Sequence, residues 1–337
     1  MIRDLGETGY RTALDTGETR EHEANGTDTA ARAAVAGGGS ARRPVRIAAA
    51  ILESMRPKQW TKNLVVLAPL VFSLKLADSS AGLRAALCLA LFCCISGAVY
   101  LLNDVIDRER DRLHPQKRHR PVASGRLSVA AALGASFVLL AGSMAAGGAH
   151  SAELAVVLVA YYAINVGYST VLKQIVIVDT LSIALGFVLR AIAGAVAIAV
   201  VISPWLLLCT FLLALFLALC KRRSELIALG DAGHSRRPVL REYTPELLDQ
   251  MVSISSASTL LAYCLYTISD NAVEKFGTTS LFYTVPFVLF GIFRYLYLVH
   301  QHNRGDTPEQ VLLEDLPLIS GIVGWSVAVL AILYFKL

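Results

Sequence analysis

Charge is scarce in this 337-residue chain: Asp, Glu, Lys and Arg make up 17% of it, against 55% for apolar residues. So small a charged share, with a mean hydropathy of +0.55, excludes a soluble globule, a disordered scaffold and a disulfide-stapled secreted module. The imbalance of charge is small as well. Thirty-one Lys and Arg against 26 Asp and Glu leave +5, too little to imply a nucleic-acid partner. The six cysteines (Cys88, Cys93, Cys94, Cys209, Cys220 and Cys264) all lie in apolar runs and lack CxxC or Cys/His ligand spacing. They are expected to be reduced packing residues. No apolar stretch follows the first basic residue, which argues against a signal peptide.

Long apolar runs are abundant. Nine candidate spans fall near 63–80, 82–102, 128–147, 152–172, 175–198, 204–220, 250–269, 280–299 and 317–335. The expected fold class is an all-α polytopic membrane protein of about nine transmembrane helices, occupying 46–337 behind a disordered N-terminal tail, 1–45. The longest connections, 103–127 and 221–249, are too short for a further domain. Lys and Arg crowd the stretch before the first span and the connections after the even-numbered spans, whereas Lys75, Arg84, Lys275 and Lys336 fall on the other side. That asymmetry predicts a cytoplasmic N-terminus, cytoplasmic long loops and an outside C-terminus in the cell (inner) membrane.

The strongest local signal is Asn103-Asp104-Val105-Ile106-Asp107-Arg108-Glu109-Arg110-Asp111. Asp104, Asp107 and Asp111 share one helical face, with Asn103 one turn from Asp107. Carboxylates so crowded repel one another unless a cation sits between them, and an oxygen-only ligand set suits Mg²⁺ completed by substrate phosphates. Next comes a proline-bounded basic loop, His114-Pro115-Gln116-Lys117-Arg118-His119-Arg120-Pro121, which supplies cations for phosphate oxygens. The plain alternative is a solvated helix whose acids pair with Arg108, Arg110 and Arg112.

Two charges fall inside the fifth span. Asp179, Ser182, Gly186, Arg190 and Gly194 form one polar and small-residue stripe that must face the bundle interior, with Arg190 about 16 Å deeper than Asp179. A buried ion pair locking two helices is the structural alternative. Tyr168 and Lys173, at the end of the fourth span, are expected to reach a common site with Asp179. Lys62 with Asn63, and Lys221 with Arg222 and Glu225, are further candidates, although Lys221 and Glu225 also suit an i, i+4 pair. Asp306, Glu309, Glu314 and Asp315 read as an acidic surface loop.

The Asn103-Asp104-x-x-Asp107-x-x-x-Asp111 pattern resembles the first aspartate motif of the UbiA-type intramembrane prenyltransferases. Three further stretches resemble one branch of that superfamily, decaprenyl-phosphate phosphoribosyltransferase. They are Arg56-Pro57-x-Gln59-Trp60-x-Lys62-Asn63, then His114-Pro115-x-Lys117-x-x-Arg120-Pro121, and Tyr168 through Lys173 and Asp179 to Arg190-Ala191-Ile192-Ala193-Gly194. The resemblance implies helices around a central cavity, cytoplasmic-side cap loops and Mg²⁺ held by Asn103, Asp104, Asp107 and Asp111.

It further implies transfer of 5-phosphoribose from phosphoribosyl diphosphate to a polyprenyl (decaprenyl) phosphate, for cell-envelope polysaccharide precursors, within the bilayer. Asp104, Asp107 and Lys173 would carry catalysis. Lys62, Asn63, Lys117, Arg120, Tyr168, Asp179, Arg190 and Lys221 would bind substrate, and an oligomer is compatible with this reading. One departure stands out. The second Asp-x-x-x-Asp motif of prenyl-diphosphate users is incomplete, because Ile183 follows Asp179 four positions later. The competing readings are an aromatic or quinone prenyltransferase and a transporter of an anionic phosphorylated solute; no internal repeat supports the transporter.

Overall fold

The computed structural model describes residues 45–236, 238–302, 305 and 308–335. The expectations for the 1–45 tail, apart from the helical Val45, and for Asp306 therefore lie outside the described residues, as does the side chain of Glu309. Among the described residues all regular structure is helical. Eight helices have the length and apolarity to cross a membrane: α1 (Ser79–Ile106), α2 (Val129–His150), α3 (Ala152–Thr170), α4 (Val178–Ala197), α5 (Pro204–Arg236), α6 (Pro245–Ile268), α7 (Val285–His302) and α8 (Leu316–Phe335). The protein is an integral membrane protein of the expected class.

Polar residues in the short connections start these helices. Asp78 caps α1 by accepting from the N–H groups of Ser80 and Ala81, Ser128 caps α2, Ser151 caps α3 and Thr244 caps α6. Each cap occupies donors that have no intrahelical partner, which matters where lipid offers none.

The first expected span takes a different form. Residues Pro57–Leu67 are a 3-10 helix and Ala68–Phe72 a short α-helix, entered through Arg56 at φ 55°. Pro57 and Pro69 each remove a backbone donor and disfavour α geometry in the residue before them. At about 2.0 Å per 3-10 residue and 1.5 Å per α residue the segment still covers about 30 Å, the thickness of the hydrocarbon layer. Its irregular backbone is tolerated because protein covers it: Asn63 and Val66 are 1% and 0% exposed. It packs on α4 so closely that a Cβ on Gly194 would lie 2.0 Å from the Val66 carbonyl oxygen.

Burial separates inner from outer helices. In the apolar windows of α4 and α1, 61% and 50% of residues are buried, against 17% in α2, so α1 and α4 form the interior and α2 faces lipid. One apolar cluster joins the first segment, α1, α3 and α4 through Val66, Phe92, Leu158, Tyr161 and Ala193. A second joins α5, α6 and α7 through Phe216, Leu248 and Tyr295. Far along the chain, Tyr334 in α8 accepts from the Leu76 N–H and donates to the Val71 carbonyl, tying the last helix to the turn after the first segment.

Candidate active site at one end of the bundle

The acidic motif straddles a helix break. α1 runs on to Ile106, Asp107 takes φ −88° and ψ 4°, and Arg108–Arg112 begin a new short helix. The single stripe expected from spacing is therefore split. Asp104 and Asp111, 2% and 4% exposed, converge on Arg120, whose Nη1 lies 3.3 Å from Asp104 Oδ1 and 2.7 Å from Asp111 Oδ2. Arg56 Nη2 donates to the same Asp104 oxygen at 2.5 Å, with its guanidinium 4.8 Å from the centre of the Tyr100 ring. Asp107 faces Lys173 instead, at 3.7 Å.

Arg108 and Arg112 do not neutralise the motif: they turn to Glu109, at 3.8 and 3.3 Å. This counts against the solvated-helix alternative, because the aspartates draw their partners from 48 residues upstream and from the basic loop.

That loop is ordered, as expected. Lys117–His119 form a 3-10 turn, Arg112 donates to the Ala123 carbonyl, and Arg126 makes a two-pronged pair with Glu53 while also donating to the His119 carbonyl. Lys117 is exposed at the surface, yet the protein packed around it costs it some hydration and lowers its pKa, assisted by Arg120 and Arg56 and opposed by Asp111 and Asp107. Four cations, Arg56, Lys117, Arg120 and Lys173, thus surround three carboxylates.

Oxygen ligands for a hard metal ion are present. Asn103 Oδ1 is buried with no hydrogen-bond partner among the described residues. Asp107, a third exposed, has only the long Lys173 contact as an ion pair among them. No three His, Cys, Asp or Glu side chains come together among the described residues, however. By chemistry alone, Asn103, Asp104 and Asp107 offer oxygen donors of the kind Mg²⁺ takes, an ion that needs one or two carboxylates and completes its shell with water and phosphate.

A second polar group lies beside the first. Asp179, 0% exposed, accepts from Arg222 Nε at 2.5 Å and from the Tyr243 hydroxyl at 2.8 Å. Arg222 also reaches Glu225 and the Tyr168 hydroxyl. Burial, and after it the Asp179 carboxylate, pushes the Tyr243 phenol up to about 12, so it keeps the proton it donates. Lys173 and Asp179, expected at one site, have different partners: Lys173 contacts Asp107, while Asp179 is engaged by α5 and Tyr243. The buried ion pair between helices, weighed above as the structural alternative, describes Asp179 and Arg222.

Arg190 and Asn63 belong to a third, deeper group. Arg190 donates to Asn63 Oδ1 and to the Tyr161 hydroxyl, both at 2.8 Å, and lies over the Tyr161 and Phe187 rings. Asn63 Nδ2 in turn reaches Ser96 and Cys93. Ser96 is eight residues before Asp104 on α1, about 12 Å at 1.5 Å per residue, so this group is not part of the acidic cluster. The expected stripe on α4 is nonetheless interior, with Asp179, Ser182, Gly186, Arg190 and Gly194 all buried.

Sequence reading missed Tyr161 and Tyr243 as site residues, met Arg56 only inside a motif stretch, and named Arg222 beside Lys221 without giving it a role. For Arg222 it chose the adjacent Lys221, but consecutive helical positions point about 100° apart, and only packing decides which one turns inward. Lys221 and Lys62 are both half-buried.

The chain is similar to known proteins over most of its length. The UbiA prenyltransferase family model matches residues 65–313. The decaprenyl-phosphate phosphoribosyltransferase of Corynebacterium glutamicum is 33% identical over 300 residues, covering 86% of this chain and 89% of that protein. The enzyme of the same name from Mycobacterium tuberculosis is 32% identical over 303 residues, covering 87% and 97%. A UbiA homolog from Archaeoglobus fulgidus, solved bound to GPP and Mg²⁺, superposes with a TM-score of 0.65 at 20% identity, covering 83% of this chain and 96% of that one. With a buried acidic cluster ringed by cations at one end of a helical bundle, and a family match over most of its length, this chain is a transferase of the UbiA prenyltransferase family.

Proposed function

We propose that the protein transfers 5-phosphoribose from phosphoribosyl diphosphate to a polyprenyl phosphate, releasing diphosphate, at the cytoplasmic side of the cell membrane, as a step in making cell-envelope polysaccharide precursors. The carrying observation is the surplus of cations: Arg56, Lys117, Arg120 and Lys173 converge on three aspartates, as two phosphorylated substrates require. The incomplete second aspartate motif supports the same reading. Asp179, its remaining carboxylate, is already engaged by Arg222 and Tyr243. Relatives named for this reaction, at 31–33% identity, add to it.

Asn103, Asp104 and Asp107 would hold Mg²⁺, with Asp111 keeping Arg120 in place. When bound, the ion supplies charge neutralisation on the departing diphosphate. Arg120 uses only Nη1 on the aspartates, which leaves Nε and Nη2 to donate to phosphate oxygens; Arg56 likewise uses Nη2 there. Lys117 and Lys173 add point charges on either side of the motif. The acceptor phosphate is an anion at neutral pH, so no strong general base is needed. Rate enhancement then rests on holding two anions in line and on cations fixed where charge develops. Attack opposite the leaving group inverts the anomeric carbon.

The test is incubation of membranes with labelled phosphoribosyl diphosphate and polyprenyl phosphate, with and without EDTA. The expected product is a metal-dependent labelled lipid. Absence of that lipid together with turnover of a prenyl diphosphate would overturn the reading.

A further inference from the structure

The loop that carries Lys173 runs from the end of α3 to the start of α4 and has little apolar anchoring: Val171, Ile175 and Ile177 are 57%, 45% and 43% exposed, and Val176 packs only in part against the α5–α7 cluster. It also contains strained backbone, since the β-branched Ile177 has φ 69° and ψ −45°. Such a conformation is unfavourable for a β-branched residue and persists only where surroundings impose it. At Ile177 and Asp179 the hydrogen-bonding partners are polar and buried. The Tyr243 hydroxyl accepts from the Ile177 N–H at 2.6 Å and donates to Asp179 Oδ1 at 2.8 Å. Arg222, 1% exposed, donates through Nε to Asp179 and through Nη2 to the Tyr168 hydroxyl. Tyr168 precedes the loop and Asp179 follows it, so one guanidinium holds both ends. Glu225 supports that guanidinium through Nη1 at 2.5 Å.

We infer that Arg222, Asp179 and Tyr243 form a buried clamp whose task is to fix residues 171–178 so that Lys173 meets Asp107. They are positioning residues, acting through Lys173, and Asp179 is not a metal ligand. Both of its oxygens are engaged by protein donors, and its ion pair is with a buried arginine. The missing partner of the second aspartate motif follows from this. A carboxylate that fastens a loop needs no second acid four residues on. The clamp itself rests on geometry, and its catalytic meaning rests on the transferase reading above.

The experiment uses the full chain in lipid nanodiscs and binding of manganese(II) with inorganic diphosphate as the readout, so no turnover is needed. Tyr243→Phe removes one hydroxyl and leaves the ring to pack. It is expected to weaken diphosphate binding about tenfold in the wild-type background and less than twofold in a Lys173→Ala background, because coupled residues are not additive. Asp179→Asn is expected to leave the affinity for manganese(II) alone within twofold. Amide hydrogen exchange across residues 171–178 should rise in Tyr243→Phe whatever the protein binds. Additive effects of the two substitutions, unchanged exchange, or a tenfold loss of manganese(II) affinity in Asp179→Asn would each overturn the clamp. A wild-type protein that binds no diphosphate, yet shows faster exchange in Tyr243→Phe, would overturn the transferase reading and leave the clamp standing.

Discussion

Asp107 differs from its two neighbours in the motif by keeping a long ion pair with Lys173 and partial access to solvent, while Asp104 and Asp111 are buried against arginines. Asp107→Asn is therefore expected to abolish turnover with the protein still folded in the membrane, as judged by its elution and thermal transition. Lys173→Ala should lose most activity, and titration with added Mg²⁺ should not restore it, because a phosphate ligand and a metal ligand are not interchangeable. Lys117 offers a test by pH. Lost hydration beside Arg120 and Arg56 lowers its pKa below the ordinary 10.5, so it loses its proton earlier than a lysine far from other charges. Donor phosphates favour the charged form, so the donor KM is expected to rise with pH from below 10.5. Lys117→Arg, whose charge persists, should flatten that rise. The stability sign is the reverse: the folded state binds fewer protons in this range, so the unfavourable contribution of Lys117 fades as pH increases. These residues were legible because charge in a chain so poor in it stands out. Arg56 and Arg222 were named but given no role, since each sits in a basic run where only three-dimensional packing chooses the inward member.

At the scale of elements, the first segment is the part that sequence reading drew differently. A run of apolar residues from 63 to 80 suggested a helix, but Pro57 and Pro69 make a 3-10 segment covered by α1 and α4 the better solution. The contact that holds it is backbone against backbone at Gly194. Gly194→Ala would force a Cβ onto the Val66 carbonyl, a clash that no side-chain rotation relieves. The expected cost is about 1–3 kcal/mol, seen as a lower Tm, with loss of activity because the segment begins at Arg56. Gly134 in the lipid-facing α2 has nothing within 4 Å of an added Cβ. Gly134→Ala is expected to be neutral or to stabilise by about 0.5–1 kcal/mol, which separates a packing effect from a general helix effect. Helix α5 also outruns its apolar window. It continues through Lys221 and Arg222 to Arg236, because a helix stops where its caps are and not where lipid ends.

For the whole molecule, charge placement carries both the expected orientation and the proposed chemistry. The acidic cluster, the basic loop and the buried clamp lie at the end of the bundle where Lys and Arg concentrate, which is expected to face the cytoplasm. Impermeant thiol labelling of single cysteines introduced at Ser124 and Thr278 should therefore mark opposite sides of sealed vesicles, with Thr278 outside. Stripping divalent metal with EDTA is expected to remove activity with little change in Tm, since Asp104 and Asp111 keep Arg56 and Arg120 as partners. By itself the sequence determined the class of molecule, the approximate number of membrane passages and the acidic motif, because apolar run length and the spacing of charges are local properties that each segment carries alone. Tertiary structure decided which cations reach which carboxylates, that Asp179 fastens a loop, and that Arg190 and Asn63 belong to a deeper group. Those outcomes depend on side chains from segments up to 127 residues apart meeting in one buried volume, and no spacing along a single helix encodes such a meeting.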